Sequence, residues 1–402
     1  MSAGPRLPSA TTAAVRAGID RDPQHGAVVP PLVLSSNFSF AGLGQSRRYD
    51  YTRSGNPTRD LLGEALASLE GGAGGIVTAS GMAAVTVALH ALAEPGRPVV
   101  VPHDAYGGSW RLFDALARRG AFELLVVDFN DPRALAAALA RAPSLVWIET
   151  PSNPLLRITD LRHAIGAAHA VGAKVAVDNT FLSPLLQQPI AFGADLVVHS
   201  TTKYINGHSD VVGGALVAAD PAVHEACSWW ANCLGVTGAP FDSHLTLRGL
   251  RTLGARLRVH EENAWAVADL LQGHPAVSAL HYPGLPGHGG HAVAARQQHG
   301  FGGMLSLELA GGQPAVAAFL DGLGLFTLAE SLGGVESLVA HPATMTHAAM
   351  SAQARATAGI GEGLLRLSVG IEDARDLLAD LEAGLERALD AVAPARTAGA
   401  GS

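Results

Sequence analysis

The sequence predicts an α/β protein with a mostly parallel central sheet covered by helices, followed by a smaller C-terminal α/β domain. Between residues 61 and 255, short apolar runs rich in β-branched residues alternate with helical stretches. Strands that are almost wholly apolar and separated by helices indicate a parallel sheet buried on both faces. The regular alternation of short apolar runs and helical stretches ends at about residue 250. A chain of 402 residues is also too long for one compact core.

The alternation starts after a helix predicted at 58–70, which Gly71 and Gly72 close. Six strands follow, and the helices predicted between them lie at 83–92, 109–119, after 131–132, and at 158–171. The strands are predicted at 75–79, 98–102, 124–128, 145–149, 175–178 and 196–199.

The rest of the chain supplies the flanking regions. A helix predicted at 253–271 is followed by strands at 304–309 and 364–369 and a helix at 373–392. We therefore expect an extended N-terminal arm over 1–60, a large domain over 61–255, a C-terminal domain over 256–392, and a disordered small-residue tail over 393–402.

Composition excludes several classes of protein. Apolar residues make up 48% and charged residues 15%, which argues against a disordered chain. Acidic residues outnumber basic ones, 35 to 27, and no basic stripe supports nucleic-acid binding. The absence of a cleavable leader or a run of about 18 apolar residues predicts a cytoplasmic protein without a membrane span.

The sequence also gives no sign of a metal site. Cys227 and Cys233 have no partner at metal-ligand spacing, and His288 and His291 lie in a Gly/Pro-rich loop without a completing carboxylate or thiolate. We expect two reduced thiols and no metal.

Lysine occurs only at Lys174 and Lys203. Arginine replaces it almost everywhere else, yet a guanidinium cannot condense with an aldehyde because it stays protonated. A lysine that remains inside a dense polar motif is therefore a candidate for chemistry. Lys174, which precedes a strand, is expected to be a surface residue.

Lys203 lies in the strongest polar motif of the chain, residues 199–210, where an apolar strand ends. Open α/β sheets bind ligands at this edge. The hydroxyls of Ser200 and Thr202 suit a phosphate group, and Asp178 ends a strand about 25 residues earlier. An amine, an anion and phosphate donors are what pyridoxal 5'-phosphate requires.

A second phosphate-binding element is predicted at the start of a helix. Gly81 and Met82 follow a strand, and Gly81 would let backbone amides approach an anion at the helix N-terminus. The glycine fingerprints of nucleotide-binding proteins are missing, which speaks against a Rossmann-type redox or binding protein without pyridoxal phosphate.

These residues carry a resemblance to a known family. The chain resembles the Cys/Met-metabolism group of pyridoxal-phosphate enzymes, and within it most closely the bacterial γ-synthase branch. The similarity extends from about residue 12 to residue 391. The matching segments are 51–58, 102–109, 149–154, 177–181, the segment around Lys203, and 328–334.

The resemblance implies the aspartate-aminotransferase-like fold of pyridoxal-phosphate transferases, called fold type I. It implies that Lys203 bonds to the cofactor and then moves protons, that Asp178 pairs with the ring nitrogen, and that Tyr106 stacks on the ring. Phosphate binding is implied for four residues, Gly81, Met82, Ser200 and Thr202.

Other implied roles depend on assembly and substrate. Tyr51 and Arg53 would reach the phosphate of a neighbouring subunit, so that the site needs a dimer, commonly paired into a homotetramer. The substrate α-carboxylate would bind Arg366, helped by Ser331 and Asn153.

The resemblance also suggests residues for the far end of the substrate. Arg111, and again Arg53, could hold a distal carboxylate, and Glu330 suggests chemistry at the γ-carbon. The implied activity joins O-succinyl-L-homoserine to L-cysteine. Two other activities within the family stay open at this point, γ-lyase cleavage and the use of sulfide by an O-acyl-homoserine sulfhydrylase.

Overall fold

The computed structural model describes residues 8–346, 348, 355 and 358–392. The tail predicted over 393–402 and the first seven residues of the predicted arm lie outside these ranges. After a short helix, α1 (Ala10–Val15), the described part of the arm has little regular structure up to α2 (Pro57–Glu70). Asn56 caps α2 by accepting the N–H groups of Thr58 and Arg59 through Oδ1, and Gly71 ends it in the left-handed conformation at φ 76°.

A seven-stranded sheet forms the larger part of the molecule, and its strand order is β1-β7-β6-β5-β4-β2-β3. Its strands are β1 (Gly74–Thr78), β2 (Val99–Pro102), β3 (Leu124–Val127), β4 (Leu145–Glu149), β5 (Lys174–Asp178), β6 (Leu196–His199) and β7 (Gly214–Ala218). The helices around it are α3 (Gly81–Leu92), α4 (Gly107–Arg118), α5 (Pro132–Leu139), α6 (Leu161–Ala170), α7 (Ser183–Leu186), α8 (Pro221–Leu234) and α9 (Pro240–Leu250), with a 3₁₀ turn at Pro189–Phe192.

Both faces of this sheet are buried, as its apolar sequence predicts. Alternate strand residues enter two separate cores, so that Val146 and Ile148 lie in one and Leu145 and Trp147 lie in the other. The six predicted strands are all present within a residue or two. The seventh, β7, was not predicted; it runs antiparallel between β1 and β6 and makes the sheet mixed.

The second sheet has the order β10-β11-β12-β9-β8. Its strands are β8 (Val277–His281), β9 (Met304–Leu309), β10 (Thr327–Leu328), β11 (Leu338–Ala340) and β12 (Leu364–Ser368). The helices of this part are α10 (Leu253–Leu271), α11 (His291–Gln297), α12 (Gly312–Leu320) and α13 (Ala374–Val392). Two sheets agree with two domains, while the predicted boundary at 255/256, which falls inside α10, stays a prediction.

The topology brings one edge of the first sheet to the centre of the molecule. Strands β1, β2, β4, β5 and β6 all run in one direction, so their carboxyl ends lie on the same edge. The first residue of β7, Gly214, pairs with the last residue of β1, Thr78, and so begins at that edge. Within the described residues no helix is long and apolar enough to cross a membrane.

Candidate active site

A cavity of about 400 Å³ opens at this edge of the sheet, and residues from both sheets line it. Most of the residues predicted from the sequence meet in its wall. These are Gly81, Met82, Tyr106, Asn153, Asp178, Ser200, Thr202, Lys203, Glu330, Ser331 and Arg366. In the described part of the chain, no cluster of three or more His, Cys, Asp or Glu residues could hold a metal ion.

Lys203 lies in the loop between β6 and β7, and its Nζ donates to Ser331 Oγ over 2.7 Å. Burial first, and then the nearby Arg366 guanidinium, lower the pKa of this amine from 10.5 to about 8, while Glu330 opposes the shift. A lysine with this pKa supplies a neutral nucleophilic amine near neutral pH, which ordinary lysines do not.

Arg366, in the middle of β12, is 3% exposed. Its Nη1 donates to Asn153 Oδ1 over 2.9 Å, and its Nη2 donates to the Ser331 carbonyl over 2.8 Å. Its Nε is buried without a hydrogen-bond partner among the described residues, and no carboxylate of that part of the chain lies within 4 Å. A buried guanidinium that has only neutral acceptors suits a carboxylate ligand.

Asp178, at the end of β5, accepts the Thr180 N–H through Oδ1 over 2.9 Å. Burial raises the pKa of its carboxyl group, while the bond from Thr180 works against that rise. A cationic ligand group placed against Asp178 would stabilise the carboxylate, as the predicted pairing with a protonated ring nitrogen requires.

The phosphate end of the cavity is formed by the turns that follow β1 and β6. A Cβ atom on Gly81 would lie 2.8 Å from Ser200 Cβ, so only glycine allows the two turns to come this close. Ser80 caps α3 by accepting the Ala83 N–H, which leaves the N–H groups of Gly81 and Met82 without intrahelical acceptors. These features fit a bound phosphate group.

Thr202 lies in the cavity wall, and its hydroxyl also holds its own loop together. Its Oγ1 already bonds to both backbone groups of Gly213, donating over 3.1 Å and accepting over 3.0 Å. Its hydroxyl would therefore have to leave the Gly213 carbonyl before it could donate to a phosphate.

Three predicted residues lie outside the wall of this cavity. Arg111 is exposed on α4, and Tyr51 is 47% exposed in the arm. Arg53 donates to the carbonyl and side-chain oxygens of Asn232 over 3.0 and 2.7 Å. A role for Tyr51 and Arg53 in a neighbouring subunit's site stays a prediction, and so does the Arg111 assignment.

Two buried polar residues of the wall, Glu149 and Ser109, had no role in the sequence interpretation. Glu149 ends β4 beside Asp178 and has a polar side chain at the carboxyl end of an apolar strand, the same signal that identified Asp178. The Ser109 hydroxyl is fully buried and has no partner among the described residues. No sequence signal separates it from an ordinary helix residue.

The comparison with protein families decides the class of enzyme. The sequence model described as Cys/Met metabolism PLP-dependent enzyme matches residues 11–386. The chain belongs to this family. It is therefore a pyridoxal-phosphate-dependent enzyme, as the Lys203 motif predicts, and the alternative of a Rossmann-type protein without this cofactor is excluded.

Individual members of the family extend the likeness over nearly the whole chain. Cystathionine gamma-synthase of Escherichia coli is 57% identical over 377 residues, which cover 94% of this chain and 98% of the relative. Two crystal structures of cystathionine gamma-synthase from Xanthomonas oryzae pv. oryzae are 69% identical with a TM-score of 0.95, covering 96% of this chain and 100% of theirs. One holds aminoacrylate and cysteine, and the other holds cystathionine.

The family also includes enzymes with other reactions. A cystathionine gamma-lyase from Lactobacillus plantarum, complexed with L-serine, is 40% identical with a TM-score of 0.91, covering 94% of this chain and 99% of its own. These likenesses bear out the predicted fold type I architecture.

Proposed function

We propose that this enzyme is a cystathionine γ-synthase, which joins O-succinyl-L-homoserine and L-cysteine to give L-cystathionine and succinate. Such a γ-replacement is the transsulfuration step of methionine biosynthesis. The observation that carries the proposal is the meeting of Lys203, Arg366 and Glu330 in one cavity. The 69% identity to a synthase that was crystallised with cystathionine supports it over the lyases, which share 40–44%.

The residues present fit the cofactor. When bound, pyridoxal phosphate supplies an aldehyde that reacts with amines and a ring that stabilises negative charge on a substrate carbon. Asp178 would hold the ring nitrogen and Tyr106 would cover the ring. Gly81, Met82 and Ser200 would hold the phosphate, with Thr202 once it leaves Gly213.

Lys203 has the position and the pKa for proton transfer. Its amine, with a pKa of about 8, would take the proton from the substrate α-carbon in its neutral form, carry protons to and from the β- and γ-carbons, and return them in reverse order. Its bond to Ser331 would hold the amine on the substrate side while it is free. Tyr106, which is 43% exposed in the cavity wall, is the second candidate base.

Arg366 would bind the α-carboxylate shared by both amino-acid substrates and by the product. Asn153 and Ser331 would keep the guanidinium plane fixed by accepting two of its donors. Glu330 is exposed and lies near both Lys203 and Arg366, so it would act at the γ-carbon end. Arg53 of a neighbouring subunit, or Arg111, would hold the succinyl carboxylate.

We further propose that the enzyme works in the cytoplasm as a homotetramer, a dimer of dimers. Tyr51 and Arg53 are exposed and lie away from the cavity of their own chain, which agrees with a role in the neighbouring site. Mixing an inactive Lys203→Ala chain with an inactive Arg53→Ala chain tests the assembly. Shared sites predict partial recovery of activity, because one site of each mixed dimer has both residues intact.

Product analysis tests the reaction. The purified holoenzyme is given O-succinyl-L-homoserine with and without L-cysteine, and products are identified by mass spectrometry. A synthase forms cystathionine with cysteine and only slowly forms 2-oxobutyrate without it. Breakdown of cystathionine to cysteine with an inert succinyl ester would identify a γ-lyase, and a strong preference for sulfide over cysteine would identify a sulfhydrylase. O-Acetyl-L-homoserine, run in parallel, establishes the leaving group.

A further inference from the structure

The carboxyl group of Glu149 is buried in the active-site wall, with the residue 6% exposed. It pairs in register with Asp178 across the neighbouring strands β4 and β5, so the two side chains lie on the same face of the sheet. No cation lies within 4 Å of Glu149 among the described residues. The chain therefore keeps a second acid beside Asp178 without an ion pair, although burying a charge in this way is costly.

Both oxygens of Glu149 accept hydrogen bonds. Oε2 accepts the backbone N–H of Tyr106 over 2.7 Å, and Oε1 accepts Nε1–H of Trp147 over 3.0 Å. The Trp147 ring is fully buried and meets Phe113 of α4 edge-on, with ring centroids 5.6 Å apart. Glu149 thus connects the sheet to Tyr106, the residue that immediately precedes α4 and carries the exposed ring of the site.

A carboxyl group is the side chain that this arrangement requires. Its two oxygens can each accept an N–H, whereas a glutamine amide accepts at one atom and turns an NH₂ donor toward the other N–H. Burial first, and then the nearby Asp178 and Asp104, raise the pKa of Glu149 to about 8, although the bonds from Tyr106 and Trp147 oppose the rise. Even when protonated, the hydroxyl oxygen keeps a lone pair for one N–H.

We propose that Glu149 is a positioning residue that fixes the Tyr106 ring over the cofactor ring by holding the Tyr106 backbone N–H. The inference rests on the proposed role of Tyr106 in the cofactor site. It assigns to Glu149 a geometric task and no direct contact with the reacting atoms.

The experiment compares Glu149→Gln with the double variant Trp147→Phe/Glu149→Gln, with Trp147→Phe as the parent of the double variant. In the single variant the amide faces two donors and can accept only one. In the double variant the indole N–H is gone, so the amide oxygen is free to accept from Tyr106. The readouts are the dissociation constant of pyridoxal phosphate from the apoenzyme, the visible circular dichroism of the bound cofactor, and kcat and KM.

Glu149→Gln is expected to raise the dissociation constant about tenfold, change the visible circular dichroism band and lower kcat more than it raises KM. The double variant is expected to agree with Trp147→Phe within about threefold in every readout. Wild-type behaviour of Glu149→Gln would overturn the proposal. A double variant as impaired as Glu149→Gln would also overturn it. The loss would then come from removing the acidic group of Glu149 and not from losing the hydrogen bond to the Tyr106 N–H.

Two features of this experiment allow its result to be interpreted in every case. If Glu149→Gln does not fold, the comparison between the double variant and Trp147→Phe still decides, since positioning predicts that they agree. Cofactor affinity and circular dichroism need no synthase substrate, so they separate a failure of this inference from a failure of the proposed reaction.

Discussion

The reactivity of the two lysines gives the most direct check on the site. Burial, together with the nearby Arg366 guanidinium, lowers the pKa of Lys203 from 10.5 to about 8. At pH 7 its neutral fraction therefore rises from about 1 in 3000 to about 1 in 10, roughly 300-fold. Lys174 has the opposite environment, because its hydrogen bond to Asp195, at 2.7 Å, raises its pKa. One molecule thus contains the test amine and its internal control.

The assay labels the apoenzyme with brief pulses of a small acetylating reagent between pH 6 and pH 10. Mass spectrometry then measures modification of the two lysine-containing peptides. Lys203 is expected to show a midpoint near pH 8, whereas modification of Lys174 is expected to be still rising at pH 10, because its pKa is raised above the ordinary lysine value. The midpoint is the readout, because restricted access to a buried amine scales the rate equally at every pH.

A Lys203 labelling curve that is still rising at pH 10, as for an ordinary lysine, would refute the reasoning, since it would mean that water reaches the amine. Arg366→Met extends the test. The guanidinium is the second cause of the lowered pKa, so its removal is expected to raise the midpoint while leaving it below 10.5. No change in this variant would mean that the two cations do not interact.

Three substitutions test the other roles. Asp178→Asn is expected to lower kcat on the order of 100-fold, because the ring nitrogen loses its anionic partner; an unchanged kcat would remove Asp178 from the site. Arg366→Met is expected to raise KM for O-succinyl-L-homoserine about 10- to 100-fold through lost charged hydrogen bonds, whereas an effect on kcat alone would contradict carboxylate binding. Gly81→Ala places a Cβ 2.8 Å from Ser200 Cβ and is expected to weaken cofactor binding about tenfold in apoenzyme titrations; unaltered affinity would contradict the close-packed phosphate site.

The sequence was most informative where a side chain's chemistry and its place on a strand coincide. Asp178 and Lys203 follow apolar strands, and parallel strands must place such residues on one edge. The strand β7 was not predicted, because glycine and alanine make up three of its five residues and are poor strand formers; its antiparallel direction is likewise not encoded in apolar periodicity. Arg366 and Ser331 came from the family resemblance, because local sequence does not reveal how the second sheet packs against the first.

Some details of the site depend on contacts that residue types do not reveal. The engagement of Thr202 with Gly213 and the two donors on Glu149 arise from the fold of nearby loops. Arg111 has the charge that suits a carboxylate, but the face of α4 on which it lies leaves it exposed in the single chain. The charge of Arg111 does not reveal the direction in which its side chain points.

The first sheet holds the loop that carries Lys203, whereas the second sheet region supplies the residues around its amine. The reactivity of Lys203 is therefore linked to the local stability of the second sheet. The loop that carries it is fastened at both ends to paired neighbouring strands, β6 and β7, and internally by Thr202 and Gly213. Its partner Ser331 and the neighbouring Arg366 come from the second sheet region. A local opening that separated the second sheet would leave the lysine in its loop but hydrate its amine. Hydrogen exchange in β12 should therefore report the same opening that restores ordinary lysine basicity.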